Sequence, residues 1–219
     1  MALTKYNYNS FDLTTAASKG LAFNSDADGF TTGSPGSMTL IKTLTASSSA
    51  TLSFVHGSSD VVLDSTYPVY LFKYINCHPA TDEASFTVGF RDGSTDYDAP
   101  KTTTIFRAYQ NEAGSASSLG YHTGADIAQG TGFQTLDYGV DNDADSCCGG
   151  YLHLFNPSST TFVKHFIARG NTVQEADITR ADHVAGYCNT TTAIDAVQFK
   201  FSSGNIDAGT IKLYGIKDS

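Results

Sequence analysis

The sequence predicts an all-β chain, an antiparallel β-sandwich of the jelly-roll type behind an irregular N-terminal arm. Three observations predict it. Apolar and polar residues alternate with a period of two in several short runs. Clusters of Gly, Asn, Asp and Ser punctuate those runs at close intervals. Tyr, Phe and Thr supply much of the bulk while Trp is absent, a composition suited to half-buried pleated surfaces rather than long helices.

Residues 1–36 read as the arm, because Tyr6, Tyr8 and Phe11 follow no period and the stretch from Asn24 to Gly36 is rich in turn formers. Residues 37–219 read as one domain, with neither a composition shift nor an internal repeat to divide them. Met38–Thr45 is the first strand. Ala50–Val55 is the second, since Leu52 and Phe54 alternate with Thr51 and Ser53. After a turn at His56–Asp60, Val61–Leu63 reads as a short strand. Tyr67–Ile75 is apolar on both faces except at Lys73, the pattern of a strand covered on both sides.

Ser85–Arg91 points Phe86, Val88 and Phe90 inward, and Asp92-Gly93 turns the chain. Thr102–Tyr109 is extended. The glycine-rich passage 110–150 is too long for a structureless loop, so one or two short strands or a helical turn are expected inside it, near Thr131–Tyr138. Strands follow at Tyr151–Phe155, Thr161–Ala168, Asp182–Tyr187, Asp195–Phe201 and Gly209–Ile216, with a helical turn allowed within Thr172–Ala181.

Charge narrows the function. The net charge is −9, with 13 scattered basic residues against 22 acidic ones, so nucleic acid is not expected as a partner. No run is long and apolar enough for membrane insertion, and Met1–Tyr6 lacks a signal-peptide core. Synthesis in the cytoplasm is expected, with export only as part of a particle. Without a secretion signal, Cys77, Cys147, Cys148 and Cys188 read as free thiols, although a Cys77–Cys188 or Cys148–Cys188 bridge after cell lysis stays open.

No constellation of catalytic, cofactor-binding or metal-binding residues stands out. Asp141, Asp143 and Asp145 alternate as in half a calcium loop, but Ser146 replaces the required Gly and Leu152 the bidentate Glu, which favours an exposed acidic loop. Asp26 and Asp28 suit an Asx turn. The histidines His56, His78, His122, His153, His165 and His183 share no zinc-ligand spacing. There is no GxSxG nucleophile elbow. Tyr97, Tyr109, Tyr121 and Tyr138 stand in polar, loop-like surroundings, where they suit subunit interfaces or a sugar-stacking tip.

Several segments carry a resemblance. Ser47–Val55, Val61–Tyr67, His78–Asp82, Leu154–Phe166 and the ending Phe199–Ile216 resemble a family of virion-associated proteins of marine tailed phages, including those of cyanobacteria. The likeness spans nearly the whole chain. It departs at Cys77, where the resemblance leads one to expect an aliphatic residue, and across Asp141–Cys148.

The resemblance implies a structural protein of the virion, of decoration or tail-fibre type, with no catalytic or ligand residues to carry over. The expected role is non-enzymatic: the chain decorates or completes the particle as a capsid decoration or head fibre. Its expected partners are other virion proteins and further copies of itself, a trimer favoured. The alternative is a tail-fibre or tail-tip module that recognises host surface glycans.

Overall fold

The computed structural model describes the backbone of residues 20–23, 30–33 and 37–217, and the side chains of residues 37–217. Among the described residues every regular element is a strand, and every strand pairs antiparallel.

Two short strands, β1 (Gly20–Phe23) and β2 (Phe30–Gly33), pair with each other. They correct the expectation of an arm irregular throughout. Leu21, Phe23, Phe30 and Thr31 are good strand formers, and the turn formers lie between the two runs. The remainder of that arm lies outside the described residues.

The domain then runs β3 (Met38–Thr45), β4 (Leu52–Val55), β5 (Val69–Pro79), β6 (Ala84–Arg91) and β7 (Lys101–Asn111). It continues through β8 (Ser117–Tyr121), β9 (Gln134–Val140), β10 (Cys148–Phe155) and β11 (Lys164–Gln174). The last elements are β12 (Ile178–Cys188), β13 (Ala196–Phe201) and β14 (Ile206–Ile216). The eight-stranded sheet has the order β3-β14-β5-β10-β11-β12-β7-β8, and the four-stranded sheet the order β4-β13-β6-β9. Together they form a β-sandwich.

The core between the sheets follows from alternation. On β13, Val197, Phe199 and Phe201 are buried while Gln198 and Lys200 look outward, as the sequence pattern requires. Phe86 sits at the centre, 5.0 Å from the Tyr74 ring, 5.2 Å from Phe201 and 5.8 Å from Phe199. Phe54 meets Phe72 edge-on at 5.3 Å, and Phe90 reaches across to Phe166 at 4.8 Å. Tilted and edge-to-face rings satisfy their quadrupoles and bury large apolar areas together.

Three expectations change. Val61–Leu63 is not a strand, although Val61 and Leu63 are buried. Its backbone is partly tied up locally, Val61 N–H by Ser58 O, Val61 O by Gly57 N–H and Leu63 N–H by His56 Nδ1, and it pairs with no strand. The helical turn allowed within Thr172–Ala181 is instead a tight hairpin, with Ala176 and Asp177 both at positive φ (61° and 54°). Such a pair matches the twist of the flanking strands, which extends β11 and β12 into one long ribbon. β5 is fully covered on one side only: Tyr70, Phe72 and Tyr74 face the core, whereas on the other side Leu71 is buried but Lys73 and Ile75 are exposed.

Candidate interaction face

The four-stranded sheet covers only one face of the eight-stranded sheet. β11 shows the consequence most simply. Phe166, Ala168, Gly170 and Thr172 are buried, while His165, Ile167, Arg169, Asn171 and Val173 are all exposed. Strand register lines up the outward residues of neighbouring strands into rows.

One row passes through Lys212, Lys73, Tyr151, Arg169, His183 and Phe106, and ends on Tyr121 at the β8 edge. The next row passes through Tyr214, Leu71, His153, Ile167, Ala185 and Thr104. A third holds His165 opposite Tyr187 and Thr102. The small residues Ala185 and Thr104 sink a shallow trough between the taller first and third rows. At its end Phe162 is 70% exposed beside Phe155 and His165.

The rings on this face are largely occupied with each other. Phe106 and His183 stack face to face, 4.6 Å apart and 2° from parallel. Tyr151 meets His153 edge-on at 5.3 Å, and His165 tilts against Tyr187 at 6.0 Å. Partial burial holds the His153 imidazole below its ordinary titration range. Stacked in this way, rings lose side-chain freedom before any partner arrives, which lowers the entropic cost of docking.

The inner face of the same sheet holds ionisable groups that composition gave no reason to place inside. Arg180 donates to both carboxylate oxygens of Asp182 at 2.8 Å, and this pair is wholly buried. The guanidinium also contacts His122 Nδ1 at 2.9 Å and lies 4.7 Å from the Tyr138 ring centre. Burial and the nearby cation hold His122 low. Close by, Asp137 of β9 is fully buried beside the Tyr74 phenol, and neither side chain has a well-formed hydrogen bond. Burial pushes the Asp137 carboxyl up to about 7. Farther along, Lys101 Nζ donates to Gly132 O at 2.8 Å and Lys164 Nζ to Thr190 O at 3.0 Å, with Cys188 between them in register.

A buried carboxyl, phenol and guanidinium could form an acid–base site only if a substrate could reach them. They lie between packed sheets, and the troughs lined by Thr104, Ile167 and Ala185 open on the opposite face. Alternation could have flagged the inner groups, since Lys164 shares parity with Phe166 and Asp182 with Val184. The signal was masked because the outward positions Ile167 and Ala185 are apolar too.

The residues singled out from sequence are placed as follows. Asp141 Oδ1 accepts from the Asp143 N–H at 3.1 Å and Oδ2 from the Ser146 hydroxyl at 3.2 Å, an Asx turn. Among the described residues no three His, Cys, Asp or Glu side chains gather as a metal site. Of the four tyrosines read in polar, loop-like surroundings, Tyr109 and Tyr138 stand in strands β7 and β9, in line with the extended segments expected there. Tyr121 stands in β8, and Tyr97 packs on Phe133 at 6.4 Å. They point in different directions and make no common tip. Tyr121 joins the outer row, while Tyr109 and Tyr138 flank Arg180.

The four cysteines carry free thiols. Cys188 and Cys148 sit near opposite ends of β11, opposite Lys164 and Thr172, so roughly 26 Å of strand separates them. That distance closes both bridges considered from sequence, since Cys77 pairs with Cys148.

No protein-family model, curated protein or solved structure matches this chain.

Proposed function

We propose that this chain is a non-enzymatic structural protein of a tailed-phage particle, located on the virion and decorating or completing its surface by protein–protein contact. One observation carries the reading: the outer face of the eight-stranded sheet presents aromatic, aliphatic and basic side chains, and among the described residues no second layer packs on it. Exposed apolar patches of this extent mark contact surfaces in soluble proteins. Strand-borne Tyr, Phe, Ile and Arg are the side chains that anchor protein interfaces. The segments resembling virion proteins of marine phages support the choice of assembly.

The winding supports the same reading. β3-β14-β5-β10 stand opposite β4-β13-β6-β9, and the chain crosses between the two sheets on entering and on leaving each of β4, β6, β9 and β13. We read this as a jelly roll, with β7–β8 and β11–β12 inserted to widen one sheet. The glycan-binding alternative has less support, because a sugar ring needs a free aromatic face, and Phe106 and His183 cover each other while Tyr151 packs edge-on against His153.

Quantitative mass spectrometry of purified particles of the encoding phage tests the proposal. The chain is expected in stoichiometric copies, hundreds for a capsid site and a handful for a tail site. Its complete absence from particles would end the reading.

A further inference from the structure

Charge is segregated in this molecule. Ten of the 13 lysines and arginines lie within β3–β14, but only Asp137, Asp182 and Asp207 of the 22 acidic residues do. The remaining described carboxylates stand in loops. No acidic residue occupies an outward position of β5, β10, β11, β12, β7 or β8, whereas Lys73 and Arg169 do. On β14 Lys212 lies beside them, and the exposed Asp207 stands at the strand end next to the β5–β6 loop. The uncovered sheet face is therefore cationic in a chain of net charge −9.

The counterpart lies at one end of the same sandwich. The β5–β6 loop carries Asp82 and Glu83, and the β9–β10 loop carries Asp141, Asp143 and Asp145. Register between Cys77 and Cys148, and a 2.8 Å contact from His78 Nδ1 to Ser146 O, bring these loops together. Asp141 N–H bonds to Val173 O at the β11 end, and Glu112 N–H to Asp177 O, which adds the β11–β12 and β7–β8 loops. None of these four loops contains a Lys or Arg.

We infer that the outer face of the eight-stranded sheet docks the acidic loop end of a second copy of this chain, giving a head-to-side oligomer of more than two copies. The inference rests on the assembly reading above and names its partner. Stacking the face on itself about a two-fold axis would set one basic face, with Lys73, Arg169 and Lys212, against another, a like-charge arrangement that costs affinity. A head-to-side contact pairs opposite charges and, when repeated, closes into a ring or grows as a filament. The size is adequate. Seven strands by four residue rows span about 29 by 20 Å, on the order of 600 Å² in projection. Side-chain relief brings that near the roughly 800 Å² per partner of a specific interface.

Sedimentation and light scattering of the full chain test this, at low and high salt. The expected result is an oligomer above a dimer that loosens about tenfold or more as salt screens the contact. Lys73→Glu with Arg169→Glu should give a folded monomer, and so should Asp141→Lys with Asp143→Lys and Asp145→Lys. Mixing these two variants should restore association, because the reversed face then meets the reversed end. Lys73→Gln with Arg169→Gln adds no new charge and should weaken self-association partially, guarding against a folding defect in the Glu pair.

A wild-type monomer at high concentration overturns the inference, as does a two-fold dimer indifferent to the face variants. So does a monomer that instead binds an anionic glycan array through Lys73 and Arg169. A monomer that still co-sediments with particles sinks this inference and leaves the assembly reading standing, whereas failure of both sinks both.

Discussion

The Asp137 carboxyl occupies the space that a side chain on Gly170 would fill. Asp137 comes from the four-stranded sheet and Gly170 from β11 of the facing sheet, so the bare glycine is what lets the two sheets close over a buried acid. The Tyr74 phenol crowds the same spot, and it also closes over Gly150 on the neighbouring strand.

Gly170→Ala is therefore expected to destabilise the protein by about 3 kcal/mol through overpacking, although the backbone there tolerates alanine. Chemical denaturation would measure it. Asp137→Ala should vacate the space, so the double variant should lose less than the sum of the singles. Additive losses would show that the two residues do not share the space.

Asp137 sets a pH dependence. Burial raises its folded titration to about 7, above the ordinary carboxylate value of 3.8. The native state then binds more protons than the unfolded state between those limits. The stabilisation is complete below about pH 4 and is lost as pH rises through about 7. Asp137→Asn keeps the shape without the titration. Its stability relative to wild type should rise steadily between pH 4 and 7, by up to a few kcal/mol, and then level off. Parallel curves for the two proteins would mean that the carboxyl is not held protonated.

Arg180 and Asp182 form a pair with side chains 1% and 0% exposed. Arg180→Leu should cost about 3–5 kcal/mol, because Asp182 is left buried without its cation. Replacing both with leucine should cost markedly less. Calorimetry on the two variants would separate the penalty of an unpaired charge from the worth of the pair.

Thiol chemistry should distinguish the cysteines. Cys77, Cys148 and Cys188 are buried, and burial pushes all three thiols upward, Cys77 and Cys188 to about 12. Cys147 is only partly buried and its thiol is raised as well. Slow labelling of Cys147 alone is expected in the folded protein, and of all four after unfolding. Peptide mapping after alkylation would show the order.

Much of the fold was legible because the strand period is a local property. Met38–Thr45 is bounded in the structure as the sequence predicts, and β6 and β13 turn the predicted residues inward. Turn residues also spoke locally, as at Asp92-Gly93, where Gly93 has φ 91°. The hairpin at Ala176–Asp177 was not legible, since neither residue signals positive φ as glycine would. The outer face was half legible. Its apolar character was visible on β5, where both faces are apolar except at Lys73, but exposure depends on which face the second sheet packs against, and the four-stranded sheet packs on the other one.

By itself the sequence determined the strand class, the turn positions and the aromatic interior, because each follows from side-chain period and backbone propensity over a few residues. The tertiary structure alone decided that Lys101, Lys164, Arg180, Asp182 and Asp137 go inside, and that Ile167, Phe106 and Arg169 stay outside. Both strand faces there carry apolar residues, so local hydrophobicity cannot choose between them. Long-range strand pairing, and the face against which the second sheet packs, make the choice.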